Sequence, residues 1–131
     1  MHRNFYLDTP RCLAADFSLP ARPDVFLAGQ ITGVEGYVES MASGLVTALR
    51  AVARLRGLPW TPLPREALLG ALLEGFLFDR TSGRLSPMNA NFGLLPDLER
   101  RVRGKKERKE AKARRAVEAM AEWGRASSLI P

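Results

Sequence analysis

The residues best suited to binding chemistry form the run Gly29-Gln30-Ile31-Thr32-Gly33-Val34-Glu35-Gly36-Tyr37. Its glycines permit tight turns and let a ligand approach the main chain. If a helix begins at Gly36, the free N–H groups of its first turn offer donors to an anion or to electron-rich carbonyl and ring atoms. Such a corner suits a dinucleotide cofactor. The same pattern also serves as a purely structural turn, and its spacing departs from G-x-G-x-x-G. Tyr37 reads either as a face for a flat heteroaromatic ring or as an aromatic opening a core helix. Glu35 and Glu39 read as surface acids compatible with a helix dipole, without a catalytic role.

A second group is basic. On a single helix over 97–123, Arg101, Lys105, Arg108, Lys112 and Arg115 fall at i, i+4, i+7, i+11 and i+14, with Lys106 and Lys109 beside them. That stripe is about 21 Å long, enough to follow several phosphates of a nucleic acid backbone; aligned like charges cost folding energy unless an anion neutralises them. No aromatic residue interleaves with it between Arg100 and Arg115, so it would position RNA without stacking on bases. A solvated surface helix balanced by Glu99, Glu107, Glu110 and Glu118 fits the same charges. The remaining candidate is Cys12, the single cysteine. It forms no internal disulfide and no multi-cysteine metal site, and it reads as structural.

The glycine corner needs a strand before it and a helix after it. Val25-Phe26-Leu27-Ala28 is a short apolar run that fits a buried strand such as those of parallel sheets. From about Gly36 to Arg56, Val38, Met41, Ala42, Leu45, Leu49 and Val52 repeat at helical intervals on one face. Ala42, Ser43, Gly44 and Ala48 keep part of that helix slim, open to close approach by a sheet or ligand. Pro59, Pro62 and Pro64 form a stiff connector, and Pro64 suits the first turn of a second helix carrying Leu68, Leu69, Leu72, Leu73 and Phe76 and ending near Asp79. Residues 79–96 read as loops with at most a brief strand. The third helix is expected from Asp97 to Trp123, anchored by Leu98 and Val102 at one end and by Val117, Met120 and Trp123 at the other, with a short tail to Pro131.

At 131 residues and 46% hydrophobic content the chain holds enough apolar material for one core. No apolar run approaches the roughly 18 residues that span a bilayer, and the start does not resemble a signal peptide, which points to a soluble, cytoplasmic setting. The net charge of +6 is concentrated in residues 100–115, where ten Lys or Arg stand against Glu107 and Glu110. An anion-seeking element is thus attached to an otherwise slightly acidic domain.

Ala28-Gly29-Gln30-Ile31-Thr32-Gly33-Val34-Glu35-Gly36-Tyr37-Val38-Glu39-Ser40 resembles the late flavin-contacting motif of the TrmFO methyltransferases, and a shorter version is similar to the GidA group of tRNA uridine-modifying flavoproteins. Met1-His2-Arg3-Asn4, Pro87-Met88-Asn89-Ala90-Asn91-Phe92-Gly93-Leu94-Leu95-Pro96 and Lys105-Lys106-Glu107-Arg108-Lys109-Glu110 also look like TrmFO, in family order. The resemblance implies an α/β fold: the C-terminal portion of a Rossmann-like FAD-binding fold followed by a mostly helical segment. Residues 1–57 would belong to the FAD-binding domain, 58–96 would pack on it, and 97–131 would form the basic helix and tail. It implies that Gly29, Gln30, Ile31, Thr32, Gly33, Gly36 and Tyr37 contact FAD, with Tyr37 stacking on the isoalloxazine. It implies tRNA as the partner of the basic helix.

The family reaction moves a one-carbon unit from methylenetetrahydrofolate to C5 of a tRNA uridine, with FAD and NAD(P)H supplying reducing equivalents. The glycine fingerprint for the ADP half of FAD does not occur in this sequence, and Cys12 matches no catalytic cysteine segment. The expectation is therefore a piece of a longer enzyme, inactive alone, with the N-terminal FAD-binding part as its missing partner and apolar surface exposed on Val25–Ala28 and one face of Val38–Val52. A non-catalytic RNA-binding module is the alternative, and a small helical interaction protein with no ligand is a third reading.

Overall fold

Proline and glycine punctuation divides the chain much as the sequence suggests, with several boundaries moved. The structure, a computed structural model, describes residues 5–79, 81, 83 and 85–127, so Met1–Asn4 and the tail from residue 128 lie outside the described residues. Helix α1, Thr9–Cys12, has Pro10 in its first turn, where a missing N–H costs nothing. Strands β1, Ser18–Leu19, and β2, Arg22–Phe26, form an antiparallel ribbon with Ser18 opposite Phe26 and Leu19 opposite Arg22.

The expected strand at Val25–Ala28 is thus shifted toward the N-terminus, and it is neither parallel nor fully buried, since Val25 and Phe26 are half-exposed. The reason is the two-residue connection Pro20-Ala21: a parallel partner needs a crossover of a dozen or more residues, whereas two residues fold the chain straight back.

A 3₁₀ turn, Gly29–Thr32, leads to the long helix α2, Tyr37–Leu55. The second helical segment starts four residues later than Pro64. The Pro64 carbonyl instead accepts the Ala67 N–H at 3.1 Å in a turn. Helix α3, Leu68–Gly70, passes directly into a π-helical turn, Ala71–Gly75, and a 3₁₀ turn, Phe76–Phe78, ending beside Asp79 as expected. Gly70 lies so close to the Pro64 carbonyl that any Cβ would collide with it. The loop region after Asp79 contributes one isolated parallel bridge, Met88 to Val34. The basic helix α4, Lys105–Ala126, starts eight residues after Asp97, and Gly104 at its N-cap has φ 92°. Leu98 and Val102 precede the helix, and Val117 is exposed upon it.

The core gathers Leu13, Phe17, Val34, Val46, Leu63, Leu72, Leu73, Leu77, Leu85 and Trp123, drawing on all three segments of the chain. Trp123 seats the far end of α4, donating from Nε1 to the Thr61 carbonyl at 2.9 Å, with its ring edge-on to Trp60. Helix α2 presents an unexpected face to this core. Its buried residues are Ser43, Val46, Thr47, Arg50 and Ala53. Its main apolar stripe points outward: Tyr37 is 92% exposed, Val38 70%, Met41 69%, Leu45 65% and Leu55 87%.

The inward face carries buried polarity, most conspicuously at Arg50, whose Nε finds no hydrogen-bond partner among the described residues while its two other nitrogens are paired. Its guanidinium donates to Glu74 Oε1 at 2.6 Å and to the Ala15 carbonyl at 2.9 Å, and lies over the rings of Phe17 and Trp60. A buried charge needs this kind of pairing to be tolerated at all.

Candidate functional site

The glycine corner has an inner and an outer side. On the inner side, Gly29 donates its N–H to Ser43 Oγ at 2.7 Å, and Ser43 Oγ donates to the Ser40 carbonyl at 2.8 Å. Thr32 Oγ1 donates to the Gly29 carbonyl at 2.7 Å, and Thr9 Oγ1 donates to the Thr32 carbonyl at 2.8 Å. Gly33 and Glu35 are tied to Met88 by hydrogen bonds of 3.0 and 2.9 Å. These bonds fix the corner from behind, so Gly29, Thr32 and Gly33 are buried and hold its shape.

The outer side is formed by Gln30, Ile31, Glu35, Gly36 and Tyr37, all exposed. Gln30, Val34, Glu35, Gly36, Tyr37 and Ser40 line an open cleft of about 340 Å³. Of the seven residues the resemblance assigns to the cofactor, Gln30, Gly36 and Tyr37 line this cleft, and Ile31 lies exposed outside its lining. Gly36, at φ 99°, is the N-cap of α2, and a Cβ there would strike the Glu39 carboxylate folded back over it. Glu39 therefore sits at the positive end of the helix dipole, where a carboxylate is stabilised. The cleft fits one side of a flat aromatic ring system: a tyrosine face, an amide and accessible main chain. The described residues supply no opposing wall.

The basic element is organised differently from a stripe. Arg101 lies in the coil before α4. Lys112 is buried, donating from Nζ to the Leu95 carbonyl at 3.0 Å, with Asp97 Oδ1 at 3.5 Å. Arg115 donates to the carbonyls of Asp97 and Pro96 at 2.8 and 2.6 Å. Both residues therefore clamp residues 95–97 to α4. Lys105, Lys106, Arg108 and Lys109 remain exposed in the first turns, next to Arg100, Arg101 and Arg103. The exposed cations thus cluster around the N-terminal end of α4.

Linear spacing hid one neighbour. Phe92, on the loop that also carries Met88, lies with its ring centroid 5.7 Å from Lys109 Nζ. The basic end therefore has an aromatic beside it, supplied from a loop seventeen residues earlier. Met88 bridges that loop to the glycine corner. No group of three or more His, Cys, Asp or Glu side chains suited to a metal occurs among the described residues, and none of their helices is long and apolar enough to cross a membrane.

Comparison with known proteins follows the same residues. Residues 1–59 match the family described as Glucose inhibited division protein A. Proteins named methylenetetrahydrofolate--tRNA-(uracil-5-)-methyltransferase TrmFO are similar along nearly the whole chain. The one from Thermotoga neapolitana is 51% identical over 94% of this chain and 28% of its own length. That from Desulfitobacterium hafniense is 50% identical over 98% of this chain and 29% of its own. That from Aquifex aeolicus is 44% identical over 100% of this chain and 29% of its own. The chain thus spans between a quarter and a third of the length of the curated relatives it matches.

Proposed function

We propose that this chain, which belongs by sequence to the TrmFO family, supplies one wall of a flavin site and a phosphate-binding surface to a tRNA uracil-C5 methyltransferase. The observation that carries the proposal is similarity at 44–51% identity over almost the entire chain, glycine corner included. The name of those relatives supplies the reaction, with methylenetetrahydrofolate as carbon donor. FAD, when bound, supplies the redox capacity that reduces the transferred carbon, with NAD(P)H as the source of electrons.

The chain's own residues bind and orient. Tyr37 offers its ring face to the isoalloxazine, Gln30 offers an amide to its polar edge, and Gly36 keeps the main chain open to it. Gly29, Thr32 and Gly33 act behind them by fixing the corner, and Ile31 adds apolar surface. In this reading the ADP half of the FAD site and the nucleophile for uracil belong to the N-terminal part of the family protein.

The tRNA contact falls to Arg101, Lys105, Lys106, Arg108 and Lys109. Cations at a helix N-terminus oppose the helix dipole, which costs the free protein stability that a bound phosphate restores. Lys112 and Arg115 serve by holding α4 in place. A second reading, a non-catalytic RNA-binding module, is favoured by one observation: the exposed cations lie together on this chain, whereas the cleft has a single wall.

FAD absorbance and tRNA binding separate the two readings. They are measured on the purified chain alone and mixed with the N-terminal part of the enzyme, at low and high salt. The methyltransferase reading expects flavin retained in the mixture and salt-sensitive tRNA binding. No flavin in either sample, with strong tRNA binding, establishes the module instead.

A further inference from the structure

Phe92 is the only aromatic residue between Asp79 and the start of α4, and it does not serve the core. Met88, Ala90 and Leu94 of the same loop pack against the core cluster, whereas Phe92, partly exposed, is not among the residues that do. A large apolar ring held at the surface without a packing role is available for a partner.

The ring is held in place from both sides. The Asn91 carbonyl accepts the Leu94 N–H at 3.1 Å, which closes a turn with Phe92 and Gly93 at its centre. Asn91 Oδ1 accepts the Gly93 N–H at 2.9 Å, and Asn91 Nδ2 donates to the Asn89 carbonyl at 3.1 Å. Upstream, Met88 ties the loop to Gly33 and Glu35 of the glycine corner. Downstream, Lys112 and Arg115 hold the carbonyls of residues 95–97 against α4. A ring on a loop anchored at both ends has little freedom left to lose on binding.

Its neighbour is a cation from the exposed cluster. Lys109 Nζ lies 5.7 Å from the ring centroid, close to the limit of about 6 Å for a cation–π contact. Lys109 is exposed, with Lys105, Lys106 and Arg108 on the same turns of α4. A phosphate arriving there attracts the ammonium more strongly than a ring face does, and its departure frees the ring. An aromatic face beside cations is the pairing by which proteins hold single-stranded nucleic acid, because every base has a face to stack. Paired bases keep their faces inside the helix, so the ring suits a nucleotide that is unpaired.

We propose that Phe92 is a stacking platform for one unpaired nucleobase of the RNA held at the basic end of α4, with Lys109 passing from the ring to a phosphate beside that base. The proposal rests on the RNA reading above. It also replaces the expectation of backbone contacts alone, which followed from the lack of aromatics between Arg100 and Arg115: the ring comes from the preceding loop.

The test is fluorescence anisotropy with labelled tRNA transcript, single-stranded oligouridine and an RNA duplex, over a range of salt, for the full chain as wild type, Phe92→Leu and Phe92→Trp. Phe92→Leu is expected to weaken binding of tRNA and oligouridine roughly 5- to 150-fold, the range of one base stacked on an aromatic. Duplex binding and the salt slope should stay as in wild type, because the phosphate contacts are kept. Phe92→Trp should bind oligouridine at least as tightly as wild type, with quenching of the added tryptophan emission beyond that of Trp60 and Trp123 in wild type. Equal binding of oligouridine by wild type and Phe92→Leu overturns the proposal. So does an equal loss for duplex and single strand, which would make Phe92 a support for the loop, and so does a Phe92→Trp emission that oligouridine leaves unchanged. A wild type that binds no RNA defeats the RNA reading and the proposal together, whereas salt-sensitive tRNA binding that Phe92→Leu leaves intact defeats the stacking alone.

Discussion

Arg50 shows how a residue can control a fold without being conspicuous in the sequence. It occupies a position of α2 that faces the core, and its partner Glu74 lies on the π-helical turn, with side chains 1% and 15% exposed. Removing one member of such a pair strands the other charge. Glu74→Leu is expected to destabilise the chain by about 3–5 kcal/mol, seen as a lower urea midpoint in chemical unfolding; a loss below about 1 kcal/mol would show that the pair is not the tie it appears from its geometry. Asp16 gives a pH-dependent counterpart at the surface. Burial pulls its pKa upward, but hydrogen bonds from the Ser18 hydroxyl and N–H, at 2.6 and 3.0 Å, together with the Arg54 charge, outweigh this and hold it below the ordinary carboxylate value. A folded-state pKa below the unfolded one adds stability above the unfolded value of about 3.9, and that stability is lost as pH falls through the folded value. Asp16→Asn should therefore lower the melting temperature at pH 6, with the difference from wild type closing toward pH 3; a constant difference would point to packing instead. The Arg50 role is not visible in spacing, because Glu74 lies 24 residues away, whereas the Asp16 role is half local, with Ser18 two residues on and Arg54 38 residues away.

At the level of elements, the start of α4 carries a local signature that it shares with α2. Gly36-Tyr37-Val38-Glu39 opens α2, and Gly104-Lys105-Lys106-Glu107 opens α4 in the same way. In both, glycine adopts a positive φ at the N-cap and the glutamate three residues later folds back over it. The acid at Asp97 suggested an earlier start by dipole reasoning, but Gly104 at φ 92° interrupts the helix there. The shift changes the role of each cation. Replacing Lys105, Lys106, Arg108 and Lys109 by Gln should weaken tRNA binding and flatten the plot of log K against log salt by about 0.7–0.9 for each phosphate contact removed. Lys112→Met should leave that slope unchanged while lowering stability by about 1–3 kcal/mol, because it strands the Leu95 carbonyl. Equal slopes for wild type and the quadruple variant would remove α4 from the RNA surface. The π-helical turn after Gly70 has no comparable sequence signature. Its apolar residues suit a regular helix, and the departure follows the packing of Glu74 toward Arg50 and of Gly70 against the Pro64 carbonyl.

For the molecule as a whole, helical periodicity found α2 and its apolar face, and most of that face lies away from the core. A hydrophobic stripe shows that a face must be covered and is silent about which chain covers it. Within these residues the core is closed by α3 and its π-helical continuation, by Trp123 and by the loop at Leu85; Leu49 packs against it, while Val38, Met41, Leu45 and Leu55 stay in solvent. The exposed apolar face expected from the family resemblance is therefore present on α2, on the arc opposite Arg50. Purified alone, the chain should self-associate with rising concentration, since exposed apolar area contributes roughly 25 cal/mol per Å² when two faces meet. Met41→Lys with Leu45→Lys should abolish that association in sedimentation velocity. The same pair should move the unfolding free energy of the monomer by no more than about 0.5 kcal/mol per site, because neither side chain reaches the core. Should the double variant unfold instead, the outward arc must be supporting the monomer in solution, and the polar inner face, with Arg50 at its centre, would not be enough to hold α2 in place.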